Sequence, residues 1–171
     1  MVPSAVPSLD ASASDNLVAT VTNMAILDQT VAEVLGLMMG VPVNVSETVV
    51  SPTNVPITLT AVIGLAGALS GAFTVVVNEA GAKQITACMM GIEVTTVDDT
   101  VLDGLGEIAN ILAGAWKSKI PALSAACLLS VPTVVTGTHY DIHKKTSTFR
   151  LARSYRFEDS TFSITLYGEH P

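Results

Sequence analysis

Between residues 48 and 78 this chain carries no charged side chain. A stretch of that length must be buried, either in a bilayer or in a protein core. Its part from 61 to 77 is apolar enough to be read as a membrane span. Against that reading, Gly64, Gly67, Ser70 and Gly71 interrupt it, β-branched residues crowd its ends, and no Lys or Arg flanks it closely. A buried hairpin, residues 56–66 followed by 72–78, accounts for the same composition. The chain therefore reads as soluble and cytoplasmic, with no membrane partner.

The remaining bulk properties narrow the class. The 171 residues are 49% hydrophobic and 13% charged, which fits one globular domain with a sizeable core. A net charge of −7 argues against nucleic acid, because phosphate backbones need clustered Lys and Arg. The few late basic residues, His143-Lys144-Lys145 and those from Arg150 to Arg156, read as strand and turn positions. Cys88 and Cys127 stand far apart and outside any CxxC spacing, so they read as two buried thiols.

Along the chain, residues 1–14 read as a disordered tail and 15–171 as a single domain. A long helix is expected over 15–39, stopped by Gly40 and Pro42. A strand at 43–50 and the hairpin follow, then a helix over 79–90 closed by Gly91. The Asp98-Asp99-Thr100 cluster supplies N-cap chemistry for a helix running to about 119, before Pro121. Strand-like segments occupy 123–136, 148–157 and 161–167. The expected fold is mixed α/β (α+β): long helices on an extended, largely antiparallel sheet. The two halves repeat one order of elements, an internal two-fold pseudo-repeat. Aligning Pro42 with Pro121 places Asp28 and Val31 opposite Glu107 and Asn110.

The helix from 99 onward holds the chemistry. At 100° per residue, Asp103, Glu107, Asn110, Gly114 and Lys117 share one stripe. Leu105, Ile108, Leu112, Ala115 and Trp116 form the apolar seam opposite. Gly104, Gly106 and Gly114 each destabilise a helix by roughly 1 kcal/mol relative to alanine. Either something approaches the backbone closely, or these glycines permit tight packing within the chain. Asp103 is either a site residue or the end of a capping box begun at Thr100. Ile111, beside Glu107 on the wheel, is a partner contact or peripheral core. His139 and His143, with Asp141 between them, lack a third ligand and alignment on one face, so no metal site is read there.

A Glu and an Asn one turn apart do not make a self-contained hydrolase. No Ser–His pair, metal-ligand set or phosphate-cradling loop accompanies them. Asn can both donate and accept, so it suits orienting a water, while Glu near a phosphate needs a cation supplied by another molecule.

The residues Asp103-x3-Glu107-x2-Asn110-x3-Gly114, followed by Ser130-Val-Pro132-Thr-Val-Val-Thr-Gly137, resemble the chemotaxis phosphatases of the CheC/CheX/FliY group. Pro132 stands 22 residues after Asn110, one short of that group's spacing. A single Glu–x–x–Asn makes the chain most similar to the CheX type. The resemblance implies dephosphorylation of a phospho-aspartyl response regulator of the CheY kind, in chemotaxis or another two-component pathway. Glu107 and Asn110 would be catalytic, Asn110 aligning the attacking water and Glu107 pairing with the regulator's Lys. Asp103, Gly106, Ile111 and Gly114 would meet the partner. No cofactor of the chain's own is implied, since the Mg²⁺ belongs to the regulator. A homodimer is implied as well. The alternative is a non-catalytic regulator-binding or flagellar-switch scaffold of the same fold.

Overall fold

A computed structural model describes residues 10–51, 57–143 and 147–169. Two helices open it, α1 (Asp10–Val21) and α2 (Met24–Met39). The single long helix expected over 15–39 is thus two, and the first begins at Asp10. Asn23 causes the break: its backbone is extended and its side chain accepts from Ala25 N at 3.0 Å, capping a new helix. Gly40, at φ +66°, ends α2 as expected. Residues 1–9 of the expected tail lie outside the described residues, as do Pro56 at the start of the expected hairpin and Lys144 and Lys145.

Strands β1 (Val43–Ser46), β2 (Thr58–Gly67) and β3 (Ser70–Asn78) follow, then α3 (Glu79–Met90), whose bounds match the expectation. After α4 (Asp99–Ser118) comes a short α5 (Pro121–Ser124), then β4 (Cys127–Leu129), β5 (Thr133–Gly137), β6 (Phe149–Phe157) and β7 (Ser160–Glu169). The strand-like segment expected over 123–136 is therefore a helical turn and two short strands. Proline explains both departures: Pro121 sits at the first turn of α5, and Pro132 cannot donate to a ladder.

All pairings are antiparallel, in the order β1-β6-β7-β3-β2, with β4 and β5 sharing the outer side of β2. β1 follows α2 yet pairs with the second hairpin, whereas β5 follows α4 yet pairs with the first. This crossed order agrees with the fold class expected; strand order alone does not establish a duplicated half.

Period-two alternation sends Leu59, Ala61, Ile63, Leu65, Phe73, Val75, Phe162 and Ile164 to one face of the sheet. There they form the core with Leu27, Val31 and Leu35 of α2 and the apolar stripe of α4. The other face is rich in hydroxyls. Ser154 and Ser163 bond to each other at 2.8 Å, and Tyr140 Oη meets Thr60 Oγ1 at 2.6 Å.

Asp28, which the expected pseudo-repeat aligns with Glu107, is occupied internally. Its carboxylate accepts from Arg153 Nε at 3.0 Å, Arg153 Nη2 at 2.9 Å and Tyr155 Oη at 2.8 Å. This clasp fastens α2 to β6. Asp28→Ala strands a half-buried guanidinium and a buried phenol, so we expect it to destabilise the fold by about 2 kcal/mol in urea unfolding. Burial, and secondarily the Asp28 carboxylate, pushes the Tyr155 phenol well above its ordinary range. Burial raises Tyr167 too. In the unfolded chain the Tyr155 phenol ionises near pH ~10, while the folded chain keeps its proton above that pH. Stability is therefore fully present below that pH and falls above it, by about 1.4 kcal/mol per pH unit for Tyr155. Thermal melts from pH 8 to 11 check this, and Tyr155→Phe should flatten the decline.

Candidate functional site

Helix α4 is capped by Asp98, whose side chain accepts from Val101 N at 3.3 Å. Asp98 rather than Thr100 is the N-cap, so Asp103 does not close a capping box. Val101, Leu105, Ile108, Ala109, Leu112, Ala113 and Trp116 bury one side of the helix completely. Ala115, expected in that seam, is only half-buried. The 20-residue helix is thereby held along its whole length, and it offers its other side to solvent.

The glycines divide between two causes. A methyl on Gly104 would lie 2.7 Å from Thr86 Oγ1 of α3, and one on Gly106 would lie 3.3 Å from Pro132 Cβ and Cγ. Gly106 itself is buried. These two glycines let α4 sit close against α3 on one flank and against the sheet edge on the other. Gly114 differs: its nearest neighbour, Leu129 Cδ1, would stand 4.0 Å from such a methyl. A methyl at Gly114 would fit in ordinary van der Waals contact, so no neighbour within the chain demands glycine there.

Between these flanks lie Asp103 and Glu107, both exposed, and Asn110, Ile111 and Gly114, all half-exposed. Among the described residues the side chains of Asp103, Glu107 and Asn110 have no hydrogen-bond or ion-pair partner. Lys117, expected on the same stripe, is committed elsewhere: its Nζ donates to Cys127 O at 2.6 Å, tying the helix to β4. Three polar side chains thus point outward from a rigid helix, unused by the fold.

The strand flank holds the Ser130–Gly137 segment of the sequence resemblance, in a geometry that sequence reasoning did not isolate. Val62 pairs with Thr133 and Leu65 with Leu129, so residues 63–64 of β2 face residues 130–132. Three residues opposite two make a bulge, a feature that re-aims side chains next to sites. Ser130 anchors it, since Gly64 N donates to Ser130 Oγ at 2.8 Å and Ser130 N donates to Gly64 O at 2.9 Å. Pro132 seats on Gly106 and leaves Val131 exposed. The available signal was a proline inside a β-branched run, which demotes a strand.

Other candidates carry less. His139 and His143 are both exposed, and no group of three or more His, Cys, Asp or Glu able to hold a metal occurs among the described residues. Cys127 is buried and Cys88 half-buried; burial raises both thiols, which disfavours the reactive thiolate. Among the described residues no helix is long and apolar enough to cross a membrane.

The geometry can be set beside known proteins. The family model for the chemotaxis phosphatase CheX matches residues 59–152, which span β2 to β6 and include all of α4. The chain belongs to this CheX family. The CheY-P phosphatase CheX of Thermotoga maritima is 31% identical over 110 residues, covering 64% of this chain and 69% of that protein. CheX from Vibrio vulnificus superposes with a TM-score of 0.71 at 20% identity, over 85% of this chain and 95% of that one. CheX of Borrelia burgdorferi, solved in complex with CheY, BeF3 and Mg²⁺, superposes at 0.68 with 15% identity, over 86% and 97%. The expected fold class is thereby established.

Proposed function

We propose that this protein hydrolyses the phosphoryl group from a phospho-aspartyl response regulator of the CheY kind, using Glu107 and Asn110. The supporting observation is the state of α4. One side of the helix is locked in the core, and Glu107 and Asn110 on the other side have no internal partner among the described residues. A helix built this way can be laid into another molecule's active site without rearranging. Asn110 would accept from and orient a water in line with the phosphorus, and Glu107 would pair with a lysine of the regulator. Metal chemistry belongs to the regulator in this reading; the CheX–CheY structure with BeF3 and Mg²⁺ supports it.

Asp103, Ile111 and Gly114 frame the contact, with Gly114 leaving clearance for the partner's surface. Gly106 contributes from beneath, by letting Pro132 close in. Helices α1 and α2 share their core with α4 and both hairpins, so the described chain acts as one phosphatase domain. A homodimer joined at a sheet edge belongs to the same reading. β1 is the edge that would leave α4 open, and sedimentation velocity reads the state.

The test follows phosphate loss from a phosphorylated regulator with and without the protein. Wild type should shorten the phosphate lifetime about 100-fold, a barrier change of roughly 2.7 kcal/mol. Glu107→Ala should weaken regulator binding about thirtyfold, roughly 2 kcal/mol, as expected when one member of a desolvated ion pair is removed. An unchanged lifetime with wild-type protein, despite tight regulator binding, would replace this reading with a docking scaffold.

A further inference from the structure

We infer that Val131 is a docking contact for the phosphorylated regulator, held beside Asn110 by the bulge at residues 130–132. This rests on the reading above and adds a second wall to the site. The strand-side stripe of α4 runs antiparallel to the sheet edge, and three contacts set its register. Gly106 lies against Pro132, Gly114 against Leu129, and Lys117 Nζ against Cys127 O at 2.6 Å. Asn110 stands one turn after Gly106 and one turn before Gly114. It is therefore level with residues 130–131. Pro132 turns toward the helix and Ser130 is tied back to β2, which leaves Val131 between them, 81% exposed.

Several features mark Val131 as a contact rather than a chance exposure. Its side chain is β-branched and stiff about χ1, so little freedom is lost on docking. Its backbone is fixed, because Ser130 Oγ accepts from Gly64 N and also donates to Val131 O at 2.8 Å. Any molecule whose phosphoryl group comes within reach of Asn110 must overlie the neighbouring surface, and on the strand side the most exposed large apolar side chain of that surface is Val131. An apolar contact there would bury Val131 against the regulator and add to the affinity of the complex. The occupant is the regulator and not a strand of a second copy. The bulge interrupts the ladder at this point, and Pro132 offers no N–H for edge pairing.

The experiment is steady-state hydrolysis of the phosphorylated regulator by wild type, Val131→Asp and Val131→Ser, with thermal melts of each. An exposed position predicts unchanged melting temperatures. The expected result is a KM raised about tenfold in Val131→Asp and a smaller rise in Val131→Ser, with kcat kept. Binding of the beryllofluoride-loaded regulator should weaken by the same factors. Active wild type with unchanged KM and affinity in Val131→Asp overturns the docking role and leaves the phosphatase reading standing. A fall in kcat alone also overturns it. Wild type that never shortens the phosphate lifetime removes both the phosphatase reading and this one.

Discussion

Asn110→Ala should return the regulator's phosphate lifetime to the value it has without this protein, a loss of about 100-fold in the accelerated rate. The size follows from what the amide is asked to do. The phosphoryl donor is already labile, and the partner brings its own charges, so aligning one water accounts for the whole gain. The loss should not come from unfolding. Asn110 is half-exposed and has no hydrogen-bond partner among the described residues, and such substitutions change stability by only about 0.5 kcal/mol. Asn110→Asp sharpens the test. It keeps the shape while placing a negative charge against a phosphoryl group, so it should be at least as inactive. Both variants should still bind the regulator through Glu107. Full activity in Asn110→Ala would remove the water-aligning role altogether.

Trp116→Ala should be the most destabilising single change in α4, by about 3–5 kcal/mol in denaturant unfolding. Trp116 is fully buried and lies 6.1 Å, centroid to centroid, from Phe73 of β3 at an interplanar angle of 50°. It pins the C-terminal half of α4 to the sheet. Its indole Nε1 is buried without a hydrogen-bond partner among the described residues, which costs roughly 1–3 kcal/mol in the wild type. Trp116→Phe removes that orphaned donor together with some volume. It should therefore lose much less than the alanine variant, about 1 kcal/mol or under. A phenylalanine as damaging as alanine would mean that shape rather than ring burial holds this end of the helix. Because α4 carries Asn110 and Glu107, the alanine variant should also lose phosphatase activity at temperatures where the fold survives.

The glycines show how far a one-dimensional reading reaches. Helical periodicity placed Glu107, Asn110 and Gly114 on the outward side of α4, and the structure has them there. The same periodicity could not say that Gly104 faces Thr86 or that Gly106 lies under Pro132. Those neighbours come from α3 and from the sheet edge, and their approach depends on packing between elements. Asn23 was a similar case. A cap in the middle of an apolar pattern divides a helix only if the second helix finds a core to pack on, as α2 does through Leu27, Val31 and Leu35.

The sequence by itself determined what local physics controls. Caps at Asp98, Gly40 and Gly91, the two stripes of α4, the buried hairpin and the Glu–x–x–Asn pair all depend on residues a few positions apart. Only the tertiary structure decided which polar groups are used up inside the fold and which remain free for a partner. Asp28 was matched to Glu107 in the sequence, yet Arg153 and Tyr155 claim it across 125 and 127 residues. The bulge at Ser130 and the outward Val131 depend on pairing with β2, 66 residues earlier. Contacts at such separations are set by the burial of the whole sheet against α2, α3 and α4, and no local pattern encodes them.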